Sequence, residues 1–248
     1  DNNEMKCWGK AENGSLGNGD DSQNQYTPVG VNELNSNTCC FSDIEETSPD
    51  GDHSCALSDG SVYCWGLDTA GQIGHGHLSC IGNGYCVNPH GPSVLNRNIV
   101  TFTTGLRHTC AIADDSTAWC WGENDFGQLG VGDNDDRNAP TQVLLPAGTT
   151  PISINAGGHT TCVILDNGTG LCWGKSDYGH LGDGTYNNRD EPTPISILPS
   201  NRSLVAMDLG AGHACGILDD GTAHCWGNGT FSSGESGGRL GDGSNESS

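Results

Sequence analysis

Thirteen cysteines and nine histidines are the side chains of this 248-residue chain best equipped for chemistry, and many of them fall at regular intervals. Cysteines come in pairs, Cys55 with Cys64, Cys110 with Cys120, Cys162 with Cys172 and Cys215 with Cys225. So many thiols would be an oxidation liability if free, whereas as disulfides in an oxidising compartment they are stabilising. His53, His108 and His213 each stand two residues before the first cysteine of a pair; His159 is shifted by one, with Thr160 in the equivalent place. A metal centre needs three or four such groups converging on one point. The repeat instead gives each histidine its own unit, which predicts hydrogen bonds to a neighbouring strand or loop and no metal.

Acidic loops at Asp20 and Asp21, at Asp133, Asp135 and Asp136, and at Asp183 and Asp242 carry oxygen ligands of the kind calcium takes. None has the twelve-residue calcium loop with its closing Glu, so calcium is a weak expectation and no other cofactor is expected. The chain has no Gly-x-Ser-x-Gly elbow, no phosphate-binding Gly-x-x-x-x-Gly-Lys and no His-Glu-x-x-His, so it reads as a non-enzyme. A carboxylate pair assembled only in three dimensions would escape such a search.

The elements that must position these groups are visible as a repeat. Cys-Trp-Gly recurs at 7–9, 64–66, 120–122, 172–174 and 225–227, each time followed by a Gly-x-Leu/Ile-Gly-x-Gly tail. The last four triplets are preceded by segments such as HSCALSDGSVYCWG and HTCAIADDSTAWCWG, in which apolar residues alternate on either side of an Asp-rich turn. That pattern predicts four β-hairpins. Folding the first about Asp59-Gly60 sets Ser58 against Ser61 and Cys55 against Cys64. The fourth, folded about Asp220 with one extra turn residue, sets Cys215 against Cys225. Opposed residues of an antiparallel pair stand about 4.5–5.5 Å apart at Cα, within a disulfide's reach. Each hairpin is therefore expected to close its own disulfide.

Each tail carries one apolar anchor (Leu16, Ile73, Leu129, Leu181, Leu240), and a proline then an aliphatic residue follow at Pro28-Val29, Pro92 to Val94, Pro140 to Val143 and Pro194-Ile195. A short strand beginning there at a sheet edge would complete about four strands per period of roughly 50 residues, the pattern of a β-propeller blade, with a parallel solenoid as the alternative. From Gly105 to Gly132 the chain resembles the regulator of chromosome condensation repeat family nearly residue for residue. The resemblance implies an all-β propeller of seven blades and a partner-binding platform; some members are nucleotide exchange factors or enzyme inhibitors. Seven blades need roughly 370 residues. About four to five blades are therefore represented, in a single repeat domain over 1–248 with units at 1–38, 39–95, 96–147, 148–199 and 200–248, an excerpt of a longer ring. By the hairpin logic the partner of Cys7 precedes residue 1; the alternative pairs it with Cys39 or Cys40.

A formal charge of −22 repels phosphate backbones and anionic membranes, so neither nucleic acid nor membrane insertion is expected. The cysteines, with sequons at Asn13, Asn167, Asn201, Asn228 and Asn245, predict a secreted or cell-surface glycoprotein. Two insertions fall where the repeat has loops. One carries Tyr85 and a Cys80–Cys86 pair expected to close a local loop, and the other surrounds Phe231. The leading functional expectation is a structural or interaction module binding proteins, or copies of itself, in an extracellular assembly. A glycan-binding propeller using Trp119, Tyr85 or Phe231 is the second, and a binder or inhibitor of a secreted enzyme the third.

Overall fold

The computed structural model describes residues 5–20, 23–31, 43–49, 51–76, 85–90, 95, 97–229 and 240. Strands β1 (Lys6–Gly9) and β2 (Gln25–Gly30) form a two-stranded sheet, separated in sequence by a 3-10 turn at Glu12–Gly14. The second sheet orders β3 (Ile44–Ser48), β4 (His53–Ser58), β5 (Ser61–Leu67) and β6 (Tyr85–His90). The third holds β7 (Ile99–Thr104), β8 (His108–Ala113), β9 (Ala118–Gly122) and β10 (Arg137–Gln142). The fourth holds β11 (Pro151–Gly157), β12 (Thr160–Leu165), β13 (Gly170–Gly174) and β14 (Arg189–Pro194). The fifth holds β15 (Leu204–Leu209), β16 (His213–Leu218) and β17 (Ala223–Gly227). All pairings are antiparallel between sequence neighbours, the up-and-down order of propeller blades.

The middle two strands of each sheet are the hairpins read from the sequence. Ser58 pairs with Ser61 across Asp59 and Gly60, both at positive φ, which gives the two-residue turn whose twist suits a hairpin. In the other three hairpins a three-residue turn ends on a positive-φ residue, Ser116, Gly168 or Gly221. Cys55, Cys110, Cys162 and Cys215 face Cys64, Cys120, Cys172 and Cys225 in register and are disulfide-bonded to them, each pair with Cα atoms 4.1 Å apart.

The first strands of successive sheets lie side by side. Ser48 Oγ is 2.7 Å from Thr104 Oγ1, Glu46 accepts from the Phe102 N–H, and the Ala156 N–H donates to Thr103 Oγ1 at 3.1 Å. Three apolar clusters fill the spaces between sheets: one around Trp65, Phe102 and Trp121, one around Leu129, Ile154 and Trp173, and one around Leu181, Leu204 and Trp226. The core is thus a row of seams between blades.

Two expectations are corrected. The prolines do not open the outer strands: Pro28 and Pro140 lie inside β2 and β10, and Pro194 ends β14. These are edge strands with a register shift against their neighbours, so the missing N–H costs no ladder bond. Tyr85 and Cys86, expected in an inserted loop, instead form the start of β6, with Cys86 opposite Gly66. Among the described residues Cys7 is a half-buried thiol outside any disulfide, with Val29 opposite it in the two-stranded sheet; Cys39 and Cys40 lie outside the described residues. Burial raises its pKa.

Candidate functional site

The seams are built from the residue types the repeat carries most regularly. The indole Nε1–H of Trp65 donates to the Ser15 carbonyl at 3.0 Å, Trp121 to Gln72 at 3.0 Å, Trp173 to Gln128 at 2.8 Å and Trp226 to His180 at 3.0 Å. Each acceptor belongs to the Gly-x-Leu/Ile-Gly tail of the preceding sheet. The glycine two residues on, such as Gly130, lies so close to the incoming ring that a Cβ there would stand 2.7 Å from Trp173 Nε1. The tail is a socket for the next blade's tryptophan.

Histidine completes two of these seams. The Thr109 hydroxyl donates to the Gln72 carbonyl at 3.0 Å, so its oxygen is left to accept from His53 Nε2, 2.8 Å away. One blade on, the Thr161 hydroxyl donates to Gln128 O at 2.8 Å and Thr161 accepts from His108 Nε2 at 2.8 Å. Both imidazoles are thereby held as the Nε2–H tautomer. Burial pushes each down to about 3, with His53 and His159 adding to the shift at His108. They are neutral structural groups, each bonded to the adjacent blade.

One end of the sheets carries a set of partly exposed charged and aromatic side chains. The residues entering the second strands, Asp52, Arg107 and His159, meet the loops leaving the third strands through fixed backbone bonds, Glu123 N to Arg107 O at 2.9 Å and Lys175 N to His159 O at 3.0 Å. The same loops bond between sheets, Asp52 N to Leu106 O at 3.2 Å and Leu106 N to Gly158 O at 2.9 Å. Side chains then link into a strip. Arg107 bridges Asp52 at 3.2 Å and Glu123 at 4.0 Å, and Glu123 also takes His159 Nδ1 at 2.7 Å and Gln128 Nε2 at 3.1 Å. Phe126 meets the His159 ring edge-on at 4.9 Å, and the Lys175 ammonium stands 4.7 Å from the Phe126 ring centre and 2.9 Å from Asp177. Tyr178, 44% exposed, continues the strip. Alternating charge around two rings suits a partner bearing both charge and aromatic groups; the ion pairs themselves add little stability at such exposure.

The other residues singled out in the sequence fall elsewhere. Trp119 is half-buried on β9, its Nε1–H donating to Thr117 and the Arg97 guanidinium 5.1 Å from its ring centre, so this face is already occupied. Tyr85 lies in β6, and Phe231 is outside the described residues. Asp133 accepts from Asp135 N and pairs with Arg137, which hold it below the usual carboxylate range; Asp136 accepts from Asn124 N. Burial would raise Asp183, yet the Thr185 donors and Arg189 bring it down. These carboxylates close their own turns and do not converge. Asp20 is exposed, and Asp21 and Asp242 lie outside the described residues. Asn167 and Asn201 are exposed on loops, Asn13 and Asn228 half-buried, and Asn245 outside the described residues. The strip itself was missed in the sequence, because its members are loop residues that differ from repeat to repeat.

Models of the regulator of chromosome condensation (RCC1) repeat match residues 59–112, 115–164 and 167–217, and a second RCC1 repeat model matches 99–128 and 204–233. The chain is 27% identical over 242 residues to the E3 ubiquitin-protein ligase HERC2 of Homo sapiens, covering 97% of this chain and 5% of that protein. It is 29% identical over 197 residues to the ultraviolet-B receptor UVR8 of Arabidopsis thaliana, covering 77% and 41%. The chain thus spans less than half of either relative. Among solved structures it superposes on yeast RCC1 (Prp20) bound to Kap60 with a TM-score of 0.73 at 22% identity, covering 91% of this chain and 50% of that one. Prp20p of Saccharomyces cerevisiae alone gives 0.70 at 24% identity, covering 90% and 52%. With the fold, the tryptophan sockets and the repeat models in agreement, this chain belongs to the RCC1 repeat family of β-propellers.

Proposed function

We propose that the chain is a non-catalytic interaction module of a secreted or cell-surface protein, disulfide-stapled and glycosylated, which presents its loop face to protein partners or to further copies of itself in an extracellular assembly. The observation that carries this reading is the strip from Asp52 through Arg107, Glu123, His159 and Phe126 to Lys175. It is partly exposed around a buried Glu123, chemically varied and fixed on a frame of inter-blade bonds. A structure of the yeast relative Prp20p is described together with its binding to Gsp1p and histones, which supports a protein-binding use of this fold. Hairpin disulfides in all four complete hairpins support an oxidising compartment, and exposed Asn167 and Asn201 support glycosylation. No helix among the described residues is long and apolar enough to cross a membrane.

Cross-linking from Lys175 on the native chain, followed by peptide mapping, tests the reading. A partner peptide or a second copy should attach at the 107–178 face and be lost in the Arg107→Glu/Phe126→Ala double variant, which keeps the Lys175 amine. Cross-links confined to other faces, or sugar-selective binding on a glycan array that is abolished by Trp119→Ala, would overturn it. Endoglycosidase treatment should lower the mass of native peptides containing Asn167 and Asn201; unmodified asparagines with free hairpin thiols would remove the extracellular part.

A further inference from the structure

One blade carries a side-chain set that its sisters lack. In the third sheet, Asn124 Oδ1 accepts the Leu129 N–H at 3.0 Å while its amide donates to the Asp133 carbonyl at 2.8 Å. Asp68 holds the same position in the second sheet, and its Oδ1 accepts the Ile73 N–H at 3.1 Å. Where Asn124 presents an N–H donor, Asp68 presents a second carboxylate oxygen, in a side chain with 0% exposure. A second change lies beside it. Arg137 and Arg189, opposite Gly122 and Gly174, pair with Asp133 and Asp183. At the matching place opposite Gly66 stands Cys86, and the position matching Asp183 is His75. The second blade thus places Asp68, His75 and Cys86 where the third has Asn124, Val131 and Arg137 and the fourth has Ser176, Asp183 and Arg189.

These three groups meet. His75 Nδ1 is 4.0 Å from Asp68 Oδ2, and one ligand atom from each of Asp68, His75 and Cys86 lies within 4.8 Å of the others. Ligands of a tetrahedral zinc ion with bonds near 2.0–2.3 Å stand roughly 3.5 Å apart, so side-chain rotations of about an ångström would close the cluster on a metal. Thiolate, imidazole and carboxylate together favour zinc over calcium or magnesium, and three protein ligands leave a fourth position open. Cys86 is, however, disulfide-bonded, and a cystine sulfur is no thiolate.

We propose that Asp68, His75 and Cys86 form a thiol-gated zinc site, closed while Cys86 is held in its disulfide and opened when that bond is reduced. A dithiol supplies the two electrons and two protons: it becomes a disulfide, and Cys86 and its partner cysteine become thiols. Zinc then displaces the Cys86 thiol proton to solvent and is held as the thiolate complex. The site is independent of the loop face.

Cobalt(II) is the probe. The native chain is reduced with a dithiol, desalted under argon and titrated. One cobalt per chain should give a thiolate-to-metal charge-transfer band with tetrahedral visible bands, displaced by zinc and missing from the unreduced chain. Asp68→Asn and His75→Val install the residues found at these positions in the third blade, so both variants keep a tolerated sequence and the same thiol count. Each should weaken cobalt binding by more than the roughly 10–100-fold that loss of an outer-shell partner costs. Cys86→Ser should abolish the band with every hairpin thiol still present. No band in the reduced wild type, or an unchanged affinity in Asp68→Asn and His75→Val, would sink the proposal, the latter by placing the metal on hairpin cysteines.

Discussion

The seam between the third and fourth sheets and the seam between the fourth and fifth are two versions of one joint. In the first, the Gln128 carbonyl takes both the Trp173 indole and the Thr161 hydroxyl, and His108 donates to Thr161. In the second, the His180 carbonyl takes the Trp226 indole; Ala214 stands where Thr161 would, and Thr160 stands where His108 would. Donor and acceptor have been lost together. A histidine without its threonine would bury an N–H with no acceptor, and neither half of that mismatch stands at this seam. The tryptophan and its socket are thus the common part of the joint, and the histidine–threonine pair is an addition to it.

Removing the common part should cost most, and equally at both seams. Trp173→Ala and Trp226→Ala are each expected to lower unfolding free energy by roughly 3–5 kcal/mol, read from urea denaturation. A small loss at Trp226 alone would show that the fifth sheet is held by something other than its socket.

Acid should load every seam that buries a histidine, including the fourth–fifth seam, where burial lowers the pKa of His180 from 6.5 to about 4. His53 and His108 are held neutral in the fold, with pKa values lowered from 6.5 to about 3 by burial. As pH falls below about 6.5 the unfolded chain takes up protons that the native chain excludes, so stability drops from there down to about pH 3. Each histidine should cost about 2 kcal/mol at pH 5 relative to neutral pH. His108→Asn should make the loss between neutral pH and about pH 5 shallower by that amount, whatever its own effect at neutral pH. An unchanged slope would mean that His108 is protonated in the native state.

The parts of this architecture legible in the sequence are the local ones. Alternation around an Asp-rich turn fixes the hairpin register within about ten residues, so Cys55 facing Cys64 follows from the pattern alone. The tryptophan socket was half legible. The recurrence of Gly-x-Leu-Gly marked the tail as structural, but its contact with a tryptophan 45 to 50 residues further on is set by how blades stack. His53 and His108 bond a neighbouring strand as expected, yet which one depended on a residue some 53–56 positions away. The joint change of Thr160 and Ala214 was the available signal. Cys86 was misplaced because the insertion before it moves the outer strand off the spacing set by the proline, and an edge strand accepts proline where an inner strand would not.

The smallest effects would show whether the additional pair is a module that can be moved. Thr161→Val strips the acceptor from His108 while leaving the Trp173 bond to Gln128 in place, and a buried N–H without a partner should cost about 1–3 kcal/mol. The reverse experiment is Thr160→His with Ala214→Thr. Part of the frame exists: the His108 imidazole lies against Gly105, where a Cβ would stand 2.2 Å from Cε1, and Gly157 keeps the glycine three residues before Thr160, but there the Gly210 carbonyl comes within 2.6 Å of the Cβ position and must shift to admit the ring. The acceptor exists too, since His180 O holds Trp226 as Gln128 O holds Trp173. Each single change lacks its complement, so neither should stabilise. Together they should show a favourable coupling of about 1 kcal/mol in a double-mutant cycle, and a deeper acid sensitivity at the seam that now lacks it. A coupling of zero would mean that the pair's recurrence at two seams reflects something in the surrounding strands that the fourth and fifth sheets do not share.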